Sequence, residues 1–191
     1  SYSRMSTLEV NSIQPLSSGT TVTLGASGKT FNIPSGCTIS NSGTATGFGG
    51  NNTPHFSVGG GGQNISNASW TKLNASSVDF NVGSAYDSTT NYRFNVPSDG
   101  VYFFGATASF NGLGDNVSYG LRFYIDGSTD NAGRAYIQHA GTSDGEGYIS
   151  STILLDLNTD QYVEVYVFQG DGTTNATTGG TVFTGFKLIG A

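Results

Sequence analysis

Few side chains in this sequence could do covalent or metal chemistry. The histidines are His55 and His139, the one cysteine is Cys37, and 13 acids are spread over 191 residues. A structural zinc site takes about four ligands, and these three residues stand far apart with no partner at ligand spacing. Cys37 alone cannot form an intrachain disulfide and reads as a small buried hydrophobe. GASGKT, Gly25 to Thr30, looks like the end of a phosphate loop. That loop needs Gly-x-x-x-x-Gly-Lys-Ser/Thr ahead of a helix, so that amides and the helix dipole cradle phosphate. Thr23 stands where the first Gly belongs, and a β-like FNIP follows.

The acids offer a little more. Asp144 and Glu146 lie close together in GTSDGEG, as a glycosidase pair would, although a solvated loop also accounts for them. DGSTDN, Asp126 to Asn131, places oxygen ligands at alternating positions, so Asp126 and Asp130 are candidate calcium ligands. The run departs from the EF-hand pattern, with Asn131 where Gly is needed and Ile137 where Glu is. Serine is abundant enough to compose a Ser-His-Asp triad on paper, but abundance is no evidence. No catalytic residue is assigned, and no cofactor beyond that calcium.

Composition narrows the partners. Net charge is −6, with seven basic residues scattered from Arg4 to Lys187. Phosphate backbones need clustered Lys and Arg, so nucleic acid is not the expected partner. No apolar run approaches the ~18 residues of a membrane-spanning helix, so membrane insertion is not expected. Charged residues are only 10% of the chain, while Gly numbers 29, Phe 12 and Tyr 10. Helix formers are scarce, and aromatics can fill a β core.

The elements that would position any site are strands. Residues 1–50 carry short alternating segments: TTVTL with Val22 and Leu24, KTFNI with Phe31 and Ile33, and GCTIS with Cys37 and Ile39. Each is too short to form a core alone, so this region is expected to be extended, β-rich, and ordered by oligomerisation or attachment. MSTLEV, beginning at Met5, could be the natural start. Residues 51–191 read as all-β. GLRFYIDG sets Leu121, Phe123 and Ile125 against Arg122 and Tyr124. QYVEVYVFQG sets Val163, Val165 and Val167 against Tyr162, Glu164, Tyr166 and Phe168. Val182, Phe186 and Leu188 share a phase in TVFTGFKLIG. Strands at this spacing predict a sandwich or barrel. Bulky side chains on both faces of several strands predict that a second face is covered by another subunit.

Four ordered landmarks give a family resemblance. YDSTTNYRFNVPSDGVYFF, Tyr86 to Phe104, resembles the strand, Pro-x-x-Gly turn and Tyr-x-Phe strand of C1q/TNF-type globular domains. PHFSV, LLDLNTDQYVEVYV and FTGFKLIG resemble that family's opening, Leu-x-Leu and closing segments in order. Thr159-Asp160 stands where family members often carry Gly-Asp, and no collagen-like Gly-X-Y stalk is present. The resemblance implies a jelly-roll sandwich that assembles as a homotrimer. Tyr102, Phe104, Tyr166 and Phe186 are then candidates for core or trimer interface, and sequence does not divide them. The segment STLEVNSIQPLSSGTTVTLGASGKTFNIPSG resembles segments of marine tailed-phage structural proteins.

Together these imply a non-enzymatic virion appendage on the particle surface. Residues 1–50 would attach to other virion proteins, and the head would bind a host-surface glycan or protein. Candidate ligand-loop residues are Asp126, Asp130, Asn131, Asp144, Glu146 and Asp171. A capsid decoration or cement protein and a glycan-degrading enzyme are the alternatives.

Overall fold

A computed structural model of the chain divides into two compact units, Ser1–Thr46 and Gly47–Ala191. It describes residues 13, 15, 19–24, 27–38, 40, 42, 52–60, 62–128, 133–140, 145–173, 175–177 and 179–188.

The described residues of the first unit include turns but no paired strand. TTVTL and KTFNI alternate as strands do, yet neither has a hydrogen-bonded neighbour among the described residues. Alternation permits a strand, but only a second edge supplies its hydrogen bonds. Turns fall at Gly28 and Gly36, with φ of 76° and 86°. Ile13, Leu24 and Phe31 are all more than half exposed. Cys37 is exposed too, which corrects the buried position its residue type suggests. The described residues around it supply no packed core in which a thiol could be buried.

The second unit holds thirteen strands among its described residues and no helix. In order they are β1 (His55–Gly60), β2 (Asn64–Ile65), β3 (Thr71–Lys72), β4 (Ser77–Val82), β5 (Tyr86–Asp87), β6 (Arg93–Asn95) and β7 (Gly100–Phe110). Then follow β8 (Val117–Ile125), β9 (Ala135–His139), β10 (Gly147–Leu157), β11 (Tyr162–Gln169), β12 (Asn175–Ala176) and β13 (Thr181–Lys187). One sheet has the order β10-β7-β13-β1-β4. The other has the order β5-β6-β11-β8-β9, with β3 also paired to β11. β2 and β12 form a small ribbon. Every ladder is antiparallel.

The two sheets close on each other through aromatic rings. Phe56 on β1 stacks 5.3 Å from Phe94 on β6, and Phe104 on β7 meets the same Phe94 edge-on at 5.3 Å. Phe183 on β13 packs 4.9 Å from Phe56 and 6.2 Å from Phe123 on β8. Glycine makes room for this. A Cβ at Gly185 would lie 2.6 Å from Phe104 and 2.9 Å from Phe56. Val163, Val165 and Val167 complete the inner face of β11, as period-two alternation requires. Burying each large side chain contributes on the order of 2 kcal/mol.

Candidate functional site

The core leaves two outer faces, and their chemistry differs. On the five-stranded sheet the register sets Leu154, Phe103, Phe186, His55 and Val82 side by side across all five strands. The next row with the same outward phase is Thr152, Gly105, Thr184, Ser57 and Phe80. Leu154, Phe80 and Val82 are 60%, 46% and 42% exposed. Phe103 and Phe186 rings lie 5.2 Å apart, and His55 meets Phe80 edge-on at 5.6 Å. A hollow of about 300 Å³ opens between β4 and β13, lined by His55, Phe80, Thr184 and Phe186 among others. His55 Nδ1 donates to the Asn52 carbonyl at 3.1 Å. No Lys, Arg, Asp or Glu stands in either row. The first row is apolar apart from His55, while the second is small and polar up to Phe80, with Ser57 Oγ donating to the Asp79 carboxylate at 3.0 Å. Exposed apolar side chains gathered in a row are a common feature of interaction surfaces.

The outer face of the six-stranded sheet is aromatic and cationic. The Arg122 guanidinium lies 3.9 Å from the Trp70 ring centre and donates to the Tyr124 hydroxyl. Tyr124 stacks on Tyr166 at 3.7 Å. Trp70 contacts Phe168 at 5.4 Å and meets Tyr136 edge-on at 5.7 Å. Arg134 covers Tyr136 at 4.9 Å, and Arg93 covers Tyr162 at 4.0 Å. Lys72 bridges to Glu164 at 3.2 Å. Gly120 is what lets Trp70 lie down on the sheet, because a Cβ there would stand 2.8 Å from the indole and 3.2 Å from Tyr136. Burial, and then the Glu164 carboxylate, pushes the Tyr166 hydroxyl above the ordinary tyrosine range.

The four aromatic candidates therefore fall in three places. Tyr102 and Phe104 are fully buried core residues, and Tyr102 donates to the Ser98 carbonyl at 2.6 Å. Phe186 belongs to the apolar outer face, and Tyr166 to the aromatic-cationic one.

The candidate ligand loops are not brought together. Antiparallel pairing of β11 with β8 puts Asp126 at one end of the sandwich, and of β8 with β9 puts Glu146 and Asp171 at the other. Asp126 accepts hydrogen bonds from the Tyr162 amide at 2.9 Å and from Gln161 Nε2 at 2.8 Å. Each carboxylate oxygen takes one of these bonds, which tie the end of β8 to the start of β11. Among the described residues no group of three His, Cys, Asp or Glu is gathered for a metal. Glu146 accepts from the Tyr148 hydroxyl at 2.9 Å, and the Asp171 amide donates to Gln169 Oε1 at 2.6 Å. Asp130, Asn131 and Asp144 lie outside the described residues. Gly141 to Gly145, GTSDG, spells a Gly-x-Ser-x-Gly pattern. A serine elbow leads into a helix, whereas this stretch leads into β10. His139 donates through Nδ1 to the Gly114 carbonyl at 2.9 Å.

The Trp70, Arg122 and Tyr136 group had no advance signal of its own in sequence. The Arg122–Tyr124 alternation opposite Leu121 and Phe123, and the Tyr162, Glu164, Tyr166 and Phe168 set opposite the β11 valines, pointed to that face.

Comparison with known proteins supplies a frame. A family model for the C1q domain matches residues 56–188. Among solved structures, the globular domain of zebrafish complement 1qA protein aligns with a TM-score of 0.51 at 18% identity. That alignment covers 71% of this chain and 98% of that one. A search of curated proteins returns no match.

Proposed function

The chain belongs to the C1q domain family over residues 56–188, and from that premise we propose that it is a non-enzymatic, homotrimeric ligand-binding head. The observation that carries the trimer is the row Leu154, Phe103, Phe186, His55 and Val82, apolar but for His55 and free of Lys, Arg, Asp and Glu from one edge of a sheet to the other. Three copies of this face meeting at an axis would cover it. The six-stranded face would then point outward, with its charges already paired or stacked and tolerant of water. Three outward sites on one rigid body gain strength through effective concentration.

We place this head on a bacteriophage virion, as a fibre or appendage attached through residues 1–50. The support is the likeness of the N-terminal segment to phage structural proteins. The test is to label particles with an antibody against the purified chain, then compete purified head against particles for adsorption. Surface labelling with competition supports a receptor-binding appendage. Labelling without competition, with particles that fall apart when the protein is missing, supports a decoration protein instead. Absence of labelling removes the virion placement and leaves the trimeric head.

A further inference from the structure

The aromatic-cationic face carries an assignment more specific than ligand binding in general. The chain has a net charge of −6 and only seven basic residues, yet Lys72, Arg93, Arg122 and Arg134 all stand on this one face. Lys72 is spent on Glu164, and Asp87 lies across from Arg93 on the neighbouring strand. The other half of the face holds Arg122 and Arg134 between Trp70, Tyr124, Tyr136 and Phe168; Glu164, opposite Tyr124, borders it and is paired with Lys72. Tyr136 is 45% exposed and Arg134 is exposed. Arg122 Nε is covered and has no hydrogen-bond partner among the described residues.

We propose that this half-face binds a carboxylate-bearing polysaccharide, with Arg134 and Arg122 taking the carboxylates and Tyr136 and Trp70 supporting the sugar rings. The arginine fork matches a carboxylate with two parallel hydrogen bonds. Tyrosine and tryptophan give broad, rigid, amphipathic contact area with little entropy to lose. A carboxylate that reaches Arg122 supplies the partner its Nε lacks, and because that atom is covered, reaching it requires a neighbouring side chain to move.

Charge density argues against nucleic acid. Its phosphates are closely spaced and demand many cations, while this half-face offers two in an acidic chain. An acidic peptide has an edge to add to, because β9, which carries Tyr136, ends this sheet. It would bring carboxylates without rings for Tyr136 and Trp70, and the oligoglutamate arm of the test separates the two. A polysaccharide with one carboxylate per sugar ring presents sparse charge on flat rings, which is what the surface matches.

The proposal rests on the outward position that the trimer gives this face, and the test separates the two. Trp70 is the only tryptophan, so its emission reports on this site alone. The full chain is titrated with oligogalacturonate, and with dextran oligomers, oligoglutamate and oligothymidylate in parallel, while light scattering on the same samples gives the mass. The expected result is a saturable change in Trp70 emission with oligogalacturonate that weakens with salt. Arg134→Ala, at an exposed position that the fold does not need, should weaken it by at least about tenfold. No emission change, an equal response to any of the other three oligomers, or an unaltered response in Arg134→Ala overturns the assignment. A trimer that ignores oligogalacturonate loses only this ligand class. A monomer that binds it keeps the site and loses the trimer.

Discussion

The guanidinium carbon of Arg122 lies 3.9 Å from the centre of the Trp70 ring, so the one tryptophan is held flat on the sheet by an arginine from β8. A partly desolvated cation–π contact contributes on the order of 1 kcal/mol, and the arginine stem adds cover. Arg122→Ala is expected to lower unfolding stability by about that amount and to move Trp70 emission to the red. Urea denaturation followed by tryptophan fluorescence reads both. Unchanged emission would mean that the indole does not depend on Arg122.

Gly120 underlies the same arrangement from below. Its substitution by Val puts branched carbon where the Trp70 and Tyr136 rings now sit. Overpacking of this kind costs roughly 1–3 kcal/mol, and here the surface rings can yield. The expected outcome is a folded protein with a displaced Trp70, seen as a red-shifted emission with little loss of strand signal in circular dichroism. A variant with wild-type emission would contradict the close packing at this glycine.

The inner and outer phenylalanines should separate cleanly. Phe104 is fully buried against Phe56, Phe94 and Phe183, and Phe104→Ala is expected to cost about 3–5 kcal/mol. Phe80 is 46% exposed on the edge strand β4. Phe80→Ala should change the stability of an isolated head by about 0.5 kcal/mol or less, while weakening self-association. Denaturation at a concentration where only monomer is present measures the first effect, and concentration-dependent sedimentation the second.

How much of this was legible in sequence depends on what alternation encodes. QYVEVYVFQG and GLRFYIDG have one aliphatic face each, so the inward positions of Val163, Val165, Leu121 and Phe123 followed directly from period two. TVFTGFK has apolar residues in both phases. Val182 and Phe186 do share a face, but it is the outer one, and Phe183 is the buried residue. Alternation says which residues travel together and leaves open which set faces the core. Trp70 was illegible for a different reason. It sits in the Ser/Asn-rich NASW segment beside the two-residue strand β3, and its position comes from Gly120 and Arg122, distant in sequence. Cys37, Leu24 and Phe31 show the reverse failure, with apolar types in a region whose described residues build no core.

Asp87 makes the acid limb of stability testable. Its carboxylate accepts the Thr90 and Thr89 amides, both at 3.0 Å, and the Asn91 amide and side chain at 3.1 and 2.8 Å. These donors, the Thr90 and Thr89 amides first, hold it well below the ordinary carboxylate range. A folded-state pKa below the unfolded one contributes stability at high pH that is lost as pH falls. The contribution should be complete above the ordinary aspartate value of about 3.9 and decline below it. Asp99, lowered by the Thr159 amide and hydroxyl, acts in the same direction. Stability measured from pH 5 down to about pH 2 should fall in the wild type and fall less steeply in Asp87→Asn. Equal slopes would show that these hydrogen bonds do not distinguish the folded carboxylate.

The outer face of the five-stranded sheet, Phe80 included, is what holds three chains together in this proposal. Its most direct test is the molar mass of the purified chain by light scattering, beside that of Phe80→Asp. Three chain masses are expected for the wild type, and single chains with an unchanged circular dichroism spectrum for the variant. A stable wild-type monomer, or a Phe80→Asp trimer, would contradict it.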